Sequence, residues 1–87
     1  MNDKNVKMTL EDIIEETKRF LSEDFKVDQD LILPESNLKE TLDLDSLGYV
    51  ALVVLIEENL GIKVTGEDFK EVATFGDFYS LVQKKLA

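Results

Sequence analysis

The chain contains no cysteine, no histidine and no tryptophan, and only one proline in 87 residues. Without cysteine there is no structural disulfide, which fits a reducing compartment. Without cysteine and histidine together there is no zinc-type staple for a fold this small. Without histidine, a nucleophilic hydroxyl has no ordinary base beside it. The core must be built mostly from Leu, Val, Ile and Phe. Cationic residues are also scarce: ten Lys and Arg face nineteen Asp and Glu, for a formal charge of −9 and a pI near 4.3. Nucleic acid and anionic membranes would repel such a surface, whereas a basic protein patch would attract it. Long apolar runs are missing too. The longest, Tyr49 to Ile56, is far too short to span a bilayer, so no stable membrane insertion is expected. Residues 1–8 lack the apolar centre of a signal peptide, and a cytoplasmic location is expected.

What is present is an ordinary globular composition, 44% hydrophobic and 33% charged, at a length that supports one core. Residues 1–8 carry no periodic pattern and read as a flexible lead-in to a single helical domain, residues 9–87. Thr9 with Asp12 forms a T-x-x-D start signal. Leu10, Ile13, Ile14, Thr17, Phe20 and Leu21 then recur at helical spacing opposite Glu11, Glu15, Glu16, Lys18, Arg19 and Glu23. From Phe25 to Thr41 the period is lost, and Pro34 forbids helix through its own position. Val27, Leu31, Ile32, Leu33 and Leu38 within it predict a long connection pinned to the core, with room for a short helical turn between Ser36 and Asp43. Ser46 to Leu60 is too long for a strand, is bounded by Gly61, and reads as a second helix. Its first half is apolar nearly all round, which leaves Ala51 and Val54 exposed as a contact site. Ile62-Lys63-Val64 reads as an extended link and Gly66 to Val72 as a short helix. Thr74 with Asp77 opens a last helix with Phe75, Phe78, Tyr79, Leu81, Val82 and Leu86 inward, and Lys84 and Lys85 where the helix dipole favours cations. The fold class is all-α: a small four-helix bundle with a long loop between helices 1 and 2 and a short third helix.

The chemistry centres on Leu42-Asp43-Leu44-Asp45-Ser46-Leu47-Gly48, where one serine stands at the loop-to-helix boundary. Asp45-Ser46 explains itself as a helix cap. Asp43-x-Asp45 with Gly48 imitates the start of a calcium loop, but Leu47 and Val54 occupy positions that need oxygen ligands. No metal site follows. A catalytic serine lacks a base, because the nearest lysine, Lys39, falls in the polar connection; no catalytic residue is assigned. A serine that receives a group from another enzyme remains, since a helix N-terminus stabilises a phosphate placed there.

Asp45-Ser46-Leu47 opening an apolar helix that ends Ile56-Glu57-Glu58-Asn59-Leu60-Gly61-Ile62 resembles the acyl carrier proteins. The likeness takes in helix order, spacing, size and acidity over nearly the whole chain. It implies a carrier, not an enzyme. Ser46, flanked by Asp45 and Leu47, would bear covalent 4′-phosphopantetheine drawn from coenzyme A by a phosphopantetheinyl transferase. The arm's thiol would hold acyl intermediates as thioesters for fatty-acid- or polyketide-type enzymes. The resemblance further implies that Leu52, Val53, Ile56, Val64, Phe69 and Val72 line the apolar space open to an acyl chain. Ala51, Val54, Glu57 and Glu58 would meet acyl-processing enzymes through their basic patches, with the carrier itself a monomer.

Four positions depart from the family's habit. Asp43 stands where Gly is common, Gly48 and Ala51 where acidic residues are, and Phe69 where a small residue is. The first three make the helix start less acidic and more apolar, and the fourth narrows the interior. Gly48 to Glu57 and Asp77-Phe78-Tyr79 also resemble carriers of bacterial aryl-polyene and related specialised pathways. The alternatives are a peptidyl or aminoacyl carrier, and an unmodified acidic helical adaptor in which Ser46 only caps.

Overall fold

The computed structural model describes residues 9–86, so the lead-in expected at residues 1–8 lies outside the described residues. Five α-helices occur among these: α1 (Leu10–Phe25), α2 (Leu38–Leu42), α3 (Ser46–Leu60), α4 (Gly66–Phe69) and α5 (Phe75–Leu86). No strand is present among the described residues. The four expected helices are α1, α3, α4 and α5, and the short turn expected within the connection is α2.

Each helix starts where the local chemistry can satisfy its first amides. Thr9 and Asp12 form a reciprocal capping box on α1, with both bonds at 3.1 Å. Thr65 and Asp68 do the same for α4. At α5 the Asp77 carboxylate accepts from the amides of Ala73 and Thr74, while Thr74 Oγ1 accepts from Asp77 N. Those two amides hold Asp77 below the usual carboxylate range.

The helix α1 packs on both α3 and α5. Ile13, Thr17, Phe20 and Leu21 of α1 meet Leu52, Ile56 and Leu60 of α3 and Phe75, Phe78, Tyr79 and Val82 of α5 in one buried core. Leu10, assigned inward by its spacing, is the first residue of α1 and is exposed.

The connection after α1 is pinned, but by fewer side chains than its composition suggested. Ile32 and Leu38 are buried, whereas Leu31, which ends a 3-10 turn at Gln29–Leu31, and Leu33 are exposed. Backbone pairing does the rest. Leu38 N donates to Ala73 O (3.0 Å), Phe75 N to Ser36 O (3.1 Å) and Gly76 N to Pro34 O (2.9 Å). An added Cβ on Gly76 would lie 3.1 Å from Pro34 O, tighter than most such contacts, so this close pairing favours glycine. The same pairing ends α4 early. The helix stops at Phe69, short of the expected Val72, because Ala73 and Thr74 must straighten to meet residues 36–38. Phe69 and Val72 still point inward and are buried.

Candidate functional site

The segment around Ser46 is fixed by two conformational choices in a row. Asp43 closes α2 in the left-handed region, at φ 52° and ψ 51°. Glycine takes this conformation at least cost, and aspartate is among the few side chains that tolerate it. The chain then swings out to Asp45, which is extended at φ −112° and ψ −169°. From there the Asp45 carboxylate accepts the Gly48 amide at 2.7 Å, and Tyr49 N donates to Asp45 O at 2.8 Å.

Asp45, not Ser46, is therefore the cap of α3. Both residue types cap well, and only the backbone separates them. Ser46 is the first helical residue. Its side chain is exposed and takes no part in the cap, so the reading in which Ser46 only caps is corrected. The glycine two positions on also acquires a reason. An added Cβ on Gly48 would meet Asp45 Oδ1 at 3.2 Å and Leu44 Cδ2 at 3.3 Å, so a larger residue would press on the cap itself.

Ser46 lies in an open depression that it lines with Lys39, Leu44, Asp45, Tyr49 and Val50. Lys39 belongs to α2 and not to a loop, and it is the one cation in this lining. No hydrogen bond joins it to Ser46 among the described residues, so it is not poised as a base. The amides of Ser46 and Leu47 start α3 without intrahelical partners, as in the first turn of any α-helix. An exposed hydroxyl, free helix-terminal amides and one lysine suit a negatively charged substituent.

Below Ser46 the outer face of α3 is apolar. Leu47 is 81% exposed, Val50 58% and Val54 47%, and Ala51 is exposed between them. Their i, i+3, i+4, i+7 spacing makes one continuous strip. Leu47 and Val50 extend the Ala51–Val54 surface expected from sequence; the strip's spacing from Leu47 was the signal for both. Glu57 and Glu58 are exposed at its far end. Glu57 is 3.9 Å from Lys63 Nζ, a solvent-exposed pair too weak to neutralise it.

The six residues expected to line an acyl space converge on one core. Leu52, Ile56, Val64, Phe69 and Val72 are buried together, with Val53 half-buried against them. A second depression touches Val72, beside Asp68, Glu71, Asp77, Ser80, Leu81 and Lys84. Neither depression is lined by the other five. Phe69 contributes by filling space: its ring stacks on Phe78 (centroids 6.5 Å apart) and receives Tyr49 edge-on at 5.4 Å. Asp68 ties α4 to α5 through Lys85 at 3.0 Å. The Thr65 amide first, then Lys85, hold its carboxyl below the usual range. Burial pushes the Tyr79 phenol up to about 12. No cluster of carboxylates that could hold a metal ion occurs among the described residues, and no helix there is long and apolar enough to cross a membrane.

Comparison with known proteins bears on this corner of the molecule. A family model described as "Phosphopantetheine attachment site" matches residues 15–82. Acyl carrier protein 2 of Ralstonia nicotianae is 39% identical over 80 residues, 92% of this chain and 99% of that protein. The acyl carrier protein of Thermotoga maritima is 37% identical over 76 residues, 87% of this chain and 94% of that one. That of Thermosynechococcus vestitus is 29% identical over 80 residues, covering 92% and 99%.

Proposed function

This chain belongs to the phosphopantetheine-attachment family, and from that premise we propose that Ser46 Oγ is the attachment point through which it works as an acyl carrier. It is a carrier and not a catalyst, and its prosthetic group is 4′-phosphopantetheine. When bound, that group supplies the thiol on which acyl chains ride as thioesters. The observation that carries the assignment of Ser46 is the division of labour at α3. Asp45 takes over capping, so the Ser46 hydroxyl is left exposed at a helix start.

The chain's own residues receive the phosphodiester by position and charge. The free amides of Ser46 and Leu47 and the dipole of the 15-residue α3 stabilise its negative charge. Lys39 adds the one cation of the depression. Asp45 holds the first turn in place and, as a like charge, keeps the modified side chain directed outward.

The apolar strip of Leu47, Val50, Ala51 and Val54 is the surface offered to a phosphopantetheinyl transferase and to acyl-processing enzymes, with Glu57 and Glu58 steering basic patches toward it. Gly48 and Ala51 leave the start of the strip uncharged, so contact there is apolar and charge acts from the far end. Such docking gives modest affinity and fast release, as a carrier that visits successive enzymes requires. A single domain over residues 9–87, a monomeric state and a cytoplasmic location complete the reading.

Incubation with coenzyme A and a broad-specificity transferase tests it by intact mass. One phosphopantetheine adduct is expected on the wild type and none on Ser46→Ala. No adduct on the wild type, or one that survives the substitution, would overturn the assignment.

A further inference from the structure

Among the described residues, three side-chain hydroxyls are buried without a hydrogen-bond partner: those of Thr17, Tyr49 and Tyr79. Thr17 sits mid-helix in α1 and Tyr79 packs behind Phe78. Only Tyr49 also lines the depression that holds Ser46. It stands three residues after Ser46 on α3, on the same side of the helix.

Packing explains the Tyr49 ring but not its hydroxyl. A phenylalanine would make the same edge-on contact with Phe69 at 5.4 Å. Leaving a buried hydroxyl unpaired costs about 1–3 kcal/mol, so its presence points to a partner from outside the chain. The surroundings leave a place for one. The hydroxyl borders Gly66 at the start of α4, where the missing side chain leaves room for an atom in ordinary contact: an added Cβ would lie 3.4 Å from it. Behind the ring, Phe69 and Phe78 stack into a core with Leu52 and Ile56 buried around them. An occupant entering from Ser46 at the α3–α4 junction therefore meets one unpaired donor, buried at the edge of an apolar interior.

We propose that Tyr49 is a specificity-determining residue that hydrogen-bonds an oxygen borne near the thioester end of the acyl cargo, at the α3–α4 junction. The favoured cargo is a β-oxygenated acyl chain, a β-hydroxy or β-oxo thioester, over its fully reduced counterpart. The phenol donates to the β-oxygen while the remainder of the chain lies against the Phe69 edge. This inference rests on the carrier reading of Ser46.

The test uses the full chain loaded on Ser46 from octanoyl- and β-hydroxyoctanoyl-coenzyme A, with intact mass reporting loading and thermal melting reporting the contact. In the wild type the β-hydroxyoctanoyl form should melt about 4–8 °C above the octanoyl form, the shift one net hydrogen bond gives a domain of this size. In Tyr49→Phe the two loaded forms should melt together, and the unloaded variant should be at least as stable as the wild type. Full loading with no gap in the wild type, or with an equal gap in Tyr49→Phe, would overturn the role of Tyr49 and leave the carrier reading intact. Absence of any adduct on Ser46 would overturn the carrier reading and this inference with it.

Discussion

Helices α1 and α3 are nearly the same length, 16 and 15 residues, yet they use their apolar residues in opposite ways. In α1 a buried stripe of Ile13, Thr17, Phe20 and Leu21 faces the bundle, and the acidic and basic residues face water. Apart from the exposed Leu10, the large apolar residues of that helix are accounted for by folding. In α3 only Leu52, Ile56 and Leu60 are fully buried, while Leu47, Val50 and Val54 remain in solvent. The surplus sits at the end that bears Ser46. A helix more apolar than its packing requires has a second surface to satisfy, and here that surface starts at the modifiable serine.

The comparison can be broken first in the core. Phe20→Ala in α1 should cost about 3–5 kcal/mol, a large share of the roughly 5–15 kcal/mol of a small domain. Its urea or thermal transition should shift sharply or lose cooperativity. A loss below about 1 kcal/mol would mean that α1 is not the folding helix described here.

At the start of α3 the effect should be smaller and specific to the cap. Asp45→Ala should lower stability by about 0.5–2 kcal/mol, with Asp45→Asn retaining most of it. Equal losses in the two variants would show that charge rather than the bond to Gly48 N matters.

Acid should act on the caps of α4 and α5. Asp68 and Asp77 have folded pKa values below the usual range. Their contribution is therefore complete above the unfolded value, about 4, and is lost as pH falls through the folded values. Melting temperatures measured down this range should fall less for Asp77→Asn than for the wild type. Parallel declines would remove the Asp77 cap from the acid response.

The smallest effect on stability belongs to the outer strip. Val54→Gln should change stability by no more than about 0.5 kcal/mol, while slowing transfer of the prosthetic group by a purified transferase. A destabilisation as large as that of a core residue would show that the strip is packed, and an unchanged transfer rate would remove Val54 from the docking surface.

Much of the bundle was legible because its signals are local. Thr9-x-x-Asp12 and Thr74-x-x-Asp77 each specify a helix start within one turn, and the structure uses both. Thr65-x-x-Asp68 carries the same pattern and marks the start of α4 equally well. Where adjacent residues had equal propensity, sequence could not decide between them: Asp45 and Ser46 both cap, and the extended backbone at Asp45 breaks the tie. Asp43 was visible as an oddity, but its left-handed conformation depends on α2 ending there. Leu31 and Leu33 were misplaced because burial in an irregular connection has no period to read. The packing around Phe69 was the least accessible part, since which rings and side chains meet there depends on contacts between elements far apart in the chain.

The pairing of residues 34–38 with 73–76 has a kinetic consequence. It joins segments separated by nearly half the chain, so its closure follows the helices, whose contacts are local and form fast. That pairing anchors Leu38, the first residue of α2, and α2 in turn delivers Asp43 and Asp45 to the start of α3. The corner that presents Ser46 is therefore among the last parts of the molecule to assemble, and a newly made chain offers a well-formed serine to its partners only once its C-terminal helix has docked.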